Sequence, residues 1–266
     1  MCELMFATKD IATLCVSGAA LITSVSVAFY NARVQRVKRL DDARRSFEDA
    51  ILGISKAKQD FETLRISVGD EFDAPKYSPH RTTIVDTRNF YLSKALAAFR
   101  AGSFVTSSAD NMLIASALIE SGRVAASIPF YDRSVEFAAD RFELAMAKRV
   151  LGRARILSND FERGRSEMLG AAKMFGALID DPGFDGFRMR REEAETYRRL
   201  IAAQRERNSL DFLLTDVDAL TALLPALDKP RALQLRSFIA DARSALGRKS
   251  KDFGGGGGSF ADYAPA

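Results

Sequence analysis

The single histidine, His80, sits in the run Ser78-Pro79-His80-Arg81, and the two cysteines, Cys2 and Cys15, both lie near the start of the chain. A general base needs an imidazole held in place by a second polar group, and a thiolate nucleophile needs a base beside it. A structural zinc site needs about four His, Cys or carboxylate donors. One loop histidine and two early cysteines assemble none of these sets, and a solvated side chain is the plainer reading of His80. Phosphate-binding loops, dinucleotide fingerprints, nucleophile elbows, zinc-protease motifs and Cys-x-x-Cys pairs do not occur. The expectation is therefore no catalytic residue, no cofactor and no metal.

Charged clusters are the remaining candidates. Asp180, Asp181 and Asp185 flank Pro182-Gly183 and offer hard oxygen donors, yet they lack the ligand order and closing glutamate of a calcium loop. They read as a helix connection. Arg188, Arg190, Arg191, Arg198 and Arg199 form the densest basic group, with Glu192, Glu193 and Glu195 between them. That alternation predicts a salt-bridged, solvated helix face, and the thin apolar stripe of Met189, Tyr197, Leu200 and Ile201 predicts an exposed or edge helix. Further on, Arg236, Arg243, Arg248, Lys249 and Lys251 outnumber Asp241 and Asp252. Across the chain 39 Lys and Arg nearly balance 35 Asp and Glu, so no nucleic-acid partner is expected.

The elements that must carry these residues read as helices. The 47% of hydrophobic residues can bury a substantial core, and the prominent Ala, Leu, Arg and Glu hold helical backbone at little entropic cost. No segment alternates in the manner of a strand. Residues 1–10 form a short N-terminal tail, and 11–30, from Ile11 to Tyr30, contain no charge. A helix of that length spans roughly 30 Å, the thickness of a bilayer core, and the hydroxyls of Thr13, Ser17, Thr23, Ser24 and Ser26 can bond its own carbonyls. The basic residues Arg33, Arg36, Lys38 and Arg39 follow it at once and suit an anionic inner leaflet. They predict a single-pass protein of the cell membrane with its N-terminus outside and its C-terminal domain cytoplasmic. Ala20, Ser24 and Ala28 recur at four-residue spacing, a small-residue row compatible with a homodimer through the span.

From 31 to 67 the pattern continues as one juxtamembrane helix. Leu40, Phe47, Ile54 and Phe61 recur every seven residues, with Ala43, Ala50, Ala57 and Leu64 three later. This is the seam of a coiled-coil stalk or of a long helix packed on its own domain. A loop holding His80 is expected from Val68 to about Ile84. Helices follow near 85–101, 105–121, 123–139, 141–158, 160–178, 188–207, 210–227 and 230–248, parted by Gly102, Gly122, Asp140, Asn159-Asp160, the Asp180–Gly186 loop, Asn208-Ser209 and Asp228-Lys229-Pro230. The Gly-rich end, 250–266, reads as a flexible tail outside the 85–249 domain.

Within that domain Ala115–Arg123 aligns with Gly152–Asp160 at an offset of 37 residues. Leu151-Gly152, Asn159, Gly164 and Ala171 occupy one unit; Ile114-Ala115, Gly122, Ser127, Tyr131 and Ser134 occupy the other. Over about 108–178 this pattern resembles the tetratricopeptide (TPR) repeat, with its Leu-Gly pair, turn and small residues in the second helix. Lys148 and Arg155 stand where that family carries aromatics, and Pro129 interrupts a second helix. The resemblance implies an all-α protein of antiparallel helical hairpins that binds a protein segment. Joined to the anchor, it suggests a membrane-anchored scaffold for a protein partner at the cytoplasmic face; the alternative is a self-associating structural protein of the membrane or envelope. Reporter fusions after Arg39 and at the C-terminus should both be cytoplasmic and carbonate should leave the protein in the membrane fraction; an exported C-terminal reporter or carbonate release would overturn this topology.

Overall fold

A computed structural model describes the backbone of residues 2–102, 104–207 and 211–254, and the side chains of 23–102, 104–207 and 211–245. The described backbone is all-α, with no strand: α1 (Cys2–Val68), α2 (Ser78–Ala101), α3 (Ser108–Glu120), α4 (Val124–Glu136), α5 (Arg141–Leu157), α6 (Phe161–Ala177), α7 (Gly186–Glu206), α8 (Leu213–Leu223) and α9 (Lys229–Gly254). The chain divides into two compact units, residues 1–105 and 106–266.

The first unit is a hairpin of α1 and α2. Ala43, Phe47, Ala50, Ile54 and Ala57 are buried on α1, and Leu92, Ala95, Leu96 and Ala98 on α2. The alanines allow close approach, and Gly53 goes further: the Tyr91 ring lies where a β-carbon would stand, 2.4 Å from its Cγ. Phe47 meets the edge of Phe104 at 4.9 Å and Phe99 at 6.4 Å between centroids. The seven-residue stripe is thus covered from within the chain. The connection is shorter than the expected loop. Gly69 turns the chain at φ +54°, two short 3-10 turns follow, and α2 begins at Ser78. Pro79 falls in the first turn of α2, where its missing N–H costs nothing, so His80 lies on a helix instead of a loop.

Residues 23–39 of α1 are all exposed, with Val25, Val27, Phe29, Tyr30, Val34 and Val37 among them. No helix among the described residues is long and apolar enough to cross a membrane. Most of the expected 11–30 span, Ala20 included, falls outside the residues whose side chains are described.

In the second unit α3–α4, α5–α6 and α7–α8 pack as consecutive hairpins, with α9 after them. Each odd helix also meets the next: α3 touches α5, α5 touches α7, and α7 touches α9. This repeat-like stacking covers the apolar face that a lone hairpin would leave exposed. Helix ends fall where the turn residues predict. Ser107 and Asp110 form a reciprocal cap on α3, Asp140 accepts the Glu143 amide at 2.7 Å, and Gly122 and Asn159 take positive φ at their turns. Pro129 is absorbed inside α4, and α9 runs on to Gly254, beyond its expected end.

The tightest crossing joins α5 to α6. A β-carbon on Gly152 would stand 2.5 Å from the Gly164 carbonyl oxygen and 3.0 Å from the Met168 amide nitrogen. The aligned positions Ile114, Ala115, Ser127, Tyr131, Ser134 and Ala171 are all buried. Where the TPR pattern carries aromatics there are ion pairs instead, Lys148 to Glu167 at 3.1 Å and Arg155 to Asp132 at 2.8 Å. Gly152→Ala should therefore destabilise the protein by about 1–3 kcal/mol, because backbone must move to admit the methyl. Gly170→Ala, with nothing within 4 Å, should stabilise α6 by about 0.5–1 kcal/mol; urea unfolding of both variants reads the contrast.

Candidate functional site

Helices α5, α7 and α9 of the second unit share one face, and on it lies a cavity of about 570 Å³. Helical spacing brings its walls together. Met146 and Arg149 project from α5, Glu192, Glu195 and Arg199 lie along one side of α7 with Arg198 beside them, and Arg231, Gln234, Leu235 and Phe238 recur down α9. Four guanidinium groups and two carboxylates line it, a surplus of two positive charges.

Glu195 is the centre of this group. Arg198 grips it with two parallel hydrogen bonds, Nε to Oε2 and Nη2 to Oε1, both 2.7 Å. Arg199 Nε donates to Oε1 at 2.8 Å, and Arg231 Nη2 reaches across from α9 to Oε2 at 2.5 Å. Four donors fill the roughly four acceptor positions of one carboxylate. Burial pushes the Glu195 carboxyl up, but the hydrogen bonds and charges of Arg198 and Arg199 outweigh it and hold the group at about 2. The Glu195 hydrogen bonds raise Arg198 in return.

Arg149 is more deeply placed, its side chain only 3% exposed. Its Nη1 donates to Glu192 Oε2 at 2.7 Å, its Nη2 approaches Met146 Sδ at 2.9 Å, and the guanidinium lies over the Phe175 ring. Burial pushes Arg149 down from its ordinary value while the Glu192 hydrogen bond raises it. The Nε atoms of Arg149 and Arg231 are buried without a hydrogen-bond partner. The cavity therefore has more donors than acceptors.

A second ionic group has no such surplus. Asp216 accepts Arg165 at 2.8 and 3.2 Å and Gln204 Nε2 at 2.6 Å, tying α6, α7 and α8 together. It is a structural clip.

The α7 expectation needs correction. Arg198, Arg199 and Glu195 pair as their spacing predicts, yet they face α5 and α9, and α7 is a central helix. The apolar stripe looked thin because Ala194 and Ala203 contribute much of its buried side. Arg188, Arg190 and Arg191 do stay exposed, Arg188 lying over the Phe142 ring. Arg149 and Arg231 went unnoticed in sequence, since each is an isolated cation on its own helix; Arg149's place on an otherwise apolar face was the available signal.

The other expected positions lie elsewhere. Phe47 and Ile54 are buried against α2, while Leu40 and Phe61 are half-buried, Phe61 on the ring of Phe72. Arg33, Arg36, Lys38 and Arg39 are exposed on α1, as are Ser24 and Ala28. Asp181 Oδ1 accepts the Gly183 amide and Asp185 caps α7, so both carboxylates serve the backbone. Arg243 pairs with Asp218 at 2.9 Å, whereas Arg248, Lys249 and Lys251 lie outside the described side chains.

No known family's pattern matches the sequence, and no curated protein sequence does. Among solved structures, the crystal structure of BtubC (BKLC) from P. vanneervenii is similar over 82% of this chain and 96% of that one, with 14% identity and a TM-score of 0.41. A likeness that distant carries no argument about function, and the repeat-like fold rests on the helix contacts themselves.

Glu195 makes stability pH-dependent. Its folded value lies below the ordinary 4.5, so the unfolded chain takes up the proton first as pH falls. The stabilisation is fully present above about 4.5 and is lost as pH drops through about 2. Wild type should lose melting temperature more steeply over that interval than Glu195→Gln, as thermal unfolding at stepped pH would measure.

Proposed function

We propose that the chain is a membrane-tethered helical scaffold that binds a segment of a partner protein along the face made by α5, α7 and α9. One observation carries this reading: a cavity of about 570 Å³ opens on that face, walled by charged and apolar side chains from three separate helices. Rigid helices hold such groups in fixed register, which suits recognition of an extended or helical segment better than a mobile loop would. Polar groups at the centre with Met146, Leu235 and Phe238 beside them match the composition of protein-binding pockets, where arginine and aromatic residues are enriched.

The tether rests on the uncharged stretch 11–30 and the four cations after it. Placed at the inner leaflet, Arg33, Arg36, Lys38 and Arg39 would each gain roughly 1 kcal/mol from anionic lipid. A cytoplasmic domain then meets its partner close to the membrane surface. The alternative, self-association, draws on Ala20, Ser24 and Ala28 in the span, because the seam of Leu40, Phe47, Ile54 and Phe61 is occupied by contacts within the chain.

Quantitative affinity purification in mild detergent tests the scaffold. Wild type should retain a defined partner that the double variant Arg231→Gln, Phe238→Ala loses while its helicity is unchanged. Identical recovery by both proteins would remove the cavity from the account.

A further inference from the structure

We infer that the arginine cavity is an exchange site for carboxylates: in the free chain Glu195 occupies the guanidinium groups, and an aspartate or glutamate side chain of a partner segment displaces it. This rests on the scaffold reading above and names the chemistry of the segment.

Each guanidinium offers five N–H groups. Glu195 uses two from Arg198 and one each from Arg199 and Arg231, and its own acceptor positions are then full. Arg231 Nη1 turns to Gln234 Oε1 at 2.7 Å, and its Nε has no partner. Arg149 Nε is likewise buried and unpartnered beside the same cavity. Buried N–H groups without acceptors cost free energy, and a guest carboxylate that takes Arg231 from Glu195 would pair its Nε as well as its Nη2.

Charge points the same way. The lining carries two more positive than negative charges, so an acidic guest is attracted and a basic one repelled. Glu195 itself demonstrates the shape that fits, a planar carboxylate lying in the fork of Arg198. Its side chain retains 14% exposure and two of its partners retain 35% and 36%, so a guest can reach the ion pairs from solvent. Arg231 is the partner supplied by another helix, α9, while the other two share α7 with Glu195. Beside the cations, Phe238 lies under the Arg198 guanidinium at 5.9 Å, and Leu235 and Met146 complete an apolar border. The segment that fits carries acidic residues next to an apolar one.

Glu195 thus sets the affinity. A guest carboxylate gains only what Arg231 and its neighbours give it beyond what they already give Glu195, and that difference keeps binding reversible. The internal anion stays charged across the physiological range, so it competes at every ordinary pH.

Fluorescence anisotropy with the full chain in mild detergent tests this. Three labelled peptides are compared: one bearing Asp-Glu-Leu-Phe-Asp-Glu in a Gly-Ser frame, its Asn/Gln counterpart, and a version with phosphoserine in place of the acids. The acidic peptide should bind at least about ten-fold tighter than the amide peptide, the scale of one charge-assisted hydrogen bond, and should weaken with salt. Glu195→Gln should tighten it by about ten-fold, and Arg231→Gln should weaken it by a similar factor. If Glu195→Gln fails to fold, Glu195→Asp, one methylene shorter, keeps the charge and should tighten binding to a smaller degree. Equal binding of acidic and amide peptides, binding of the phosphoserine peptide alone, or unchanged affinity in the folded Glu195 variant would overturn the inference. Partner recovery that depends on Arg231 and Phe238 without any preference for acidic peptides would leave the scaffold standing and remove the exchange.

Discussion

The contact between Gly152 and Gly164 governs the second unit. Two helices whose backbones meet there cannot slide or rotate by even one methyl group without collision, since a β-carbon on either glycine would lie 2.5 Å from the other's carbonyl oxygen. This fixes which side of α5 is spent on α6 and which is left for α7. Arg149, less than one turn before Gly152, is directed to that remaining side, where Glu192 receives it. Burying an arginine so deeply is tolerable only with a paired carboxylate close by, so the position of α7 and the position of α5 are set together.

From that pair the rest of the charged face follows. With Glu192 committed to Arg149, the next acidic residue on the same side of α7 is Glu195, and its partners are its own neighbours Arg198 and Arg199 together with Arg231 from α9. An ion group spanning two helices holds α9 in register with α7, while Ala194, Ile201, Leu213, Val217, Leu220 and Leu235 supply the apolar contact beneath. The apolar contacts provide the greater part of the cohesion. The ionic contacts select one arrangement among those the apolar residues would accept, a task for which directional, charge-assisted hydrogen bonds are suited.

Helix positions were legible in the sequence because they depend on local chemistry. Gly122 and Asn159 mark turns where positive φ is required, Asp140 caps a helix through its own side chain, and Pro230 lies in the first turn of α9. What the sequence misread or left open has a different cause. The His80 segment reads as a loop because Pro75 and Pro79 disrupt the periodicity, although Pro79 is harmless in a first turn. The stalk pattern at Leu40, Phe47, Ile54 and Phe61 is the same for a partner helix in another chain and for α2 in this one; only contacts with Phe99, Phe104 and Phe72 distinguish them.

By itself the sequence determined that the described backbone is helical and, to within a few residues, where most helices of the second unit begin and end. Those properties follow from backbone propensity, capping and spacing, which act over a few residues. It also determined that α7 would be laced with ion pairs. Only the tertiary structure decided which way those pairs face. Arg149 and Arg231 lie 82 positions apart in number and meet the same cavity because α5, α7 and α9 stack side by side. A convergent group of charges is a property of three helices held at once, and no spacing along one of them records it.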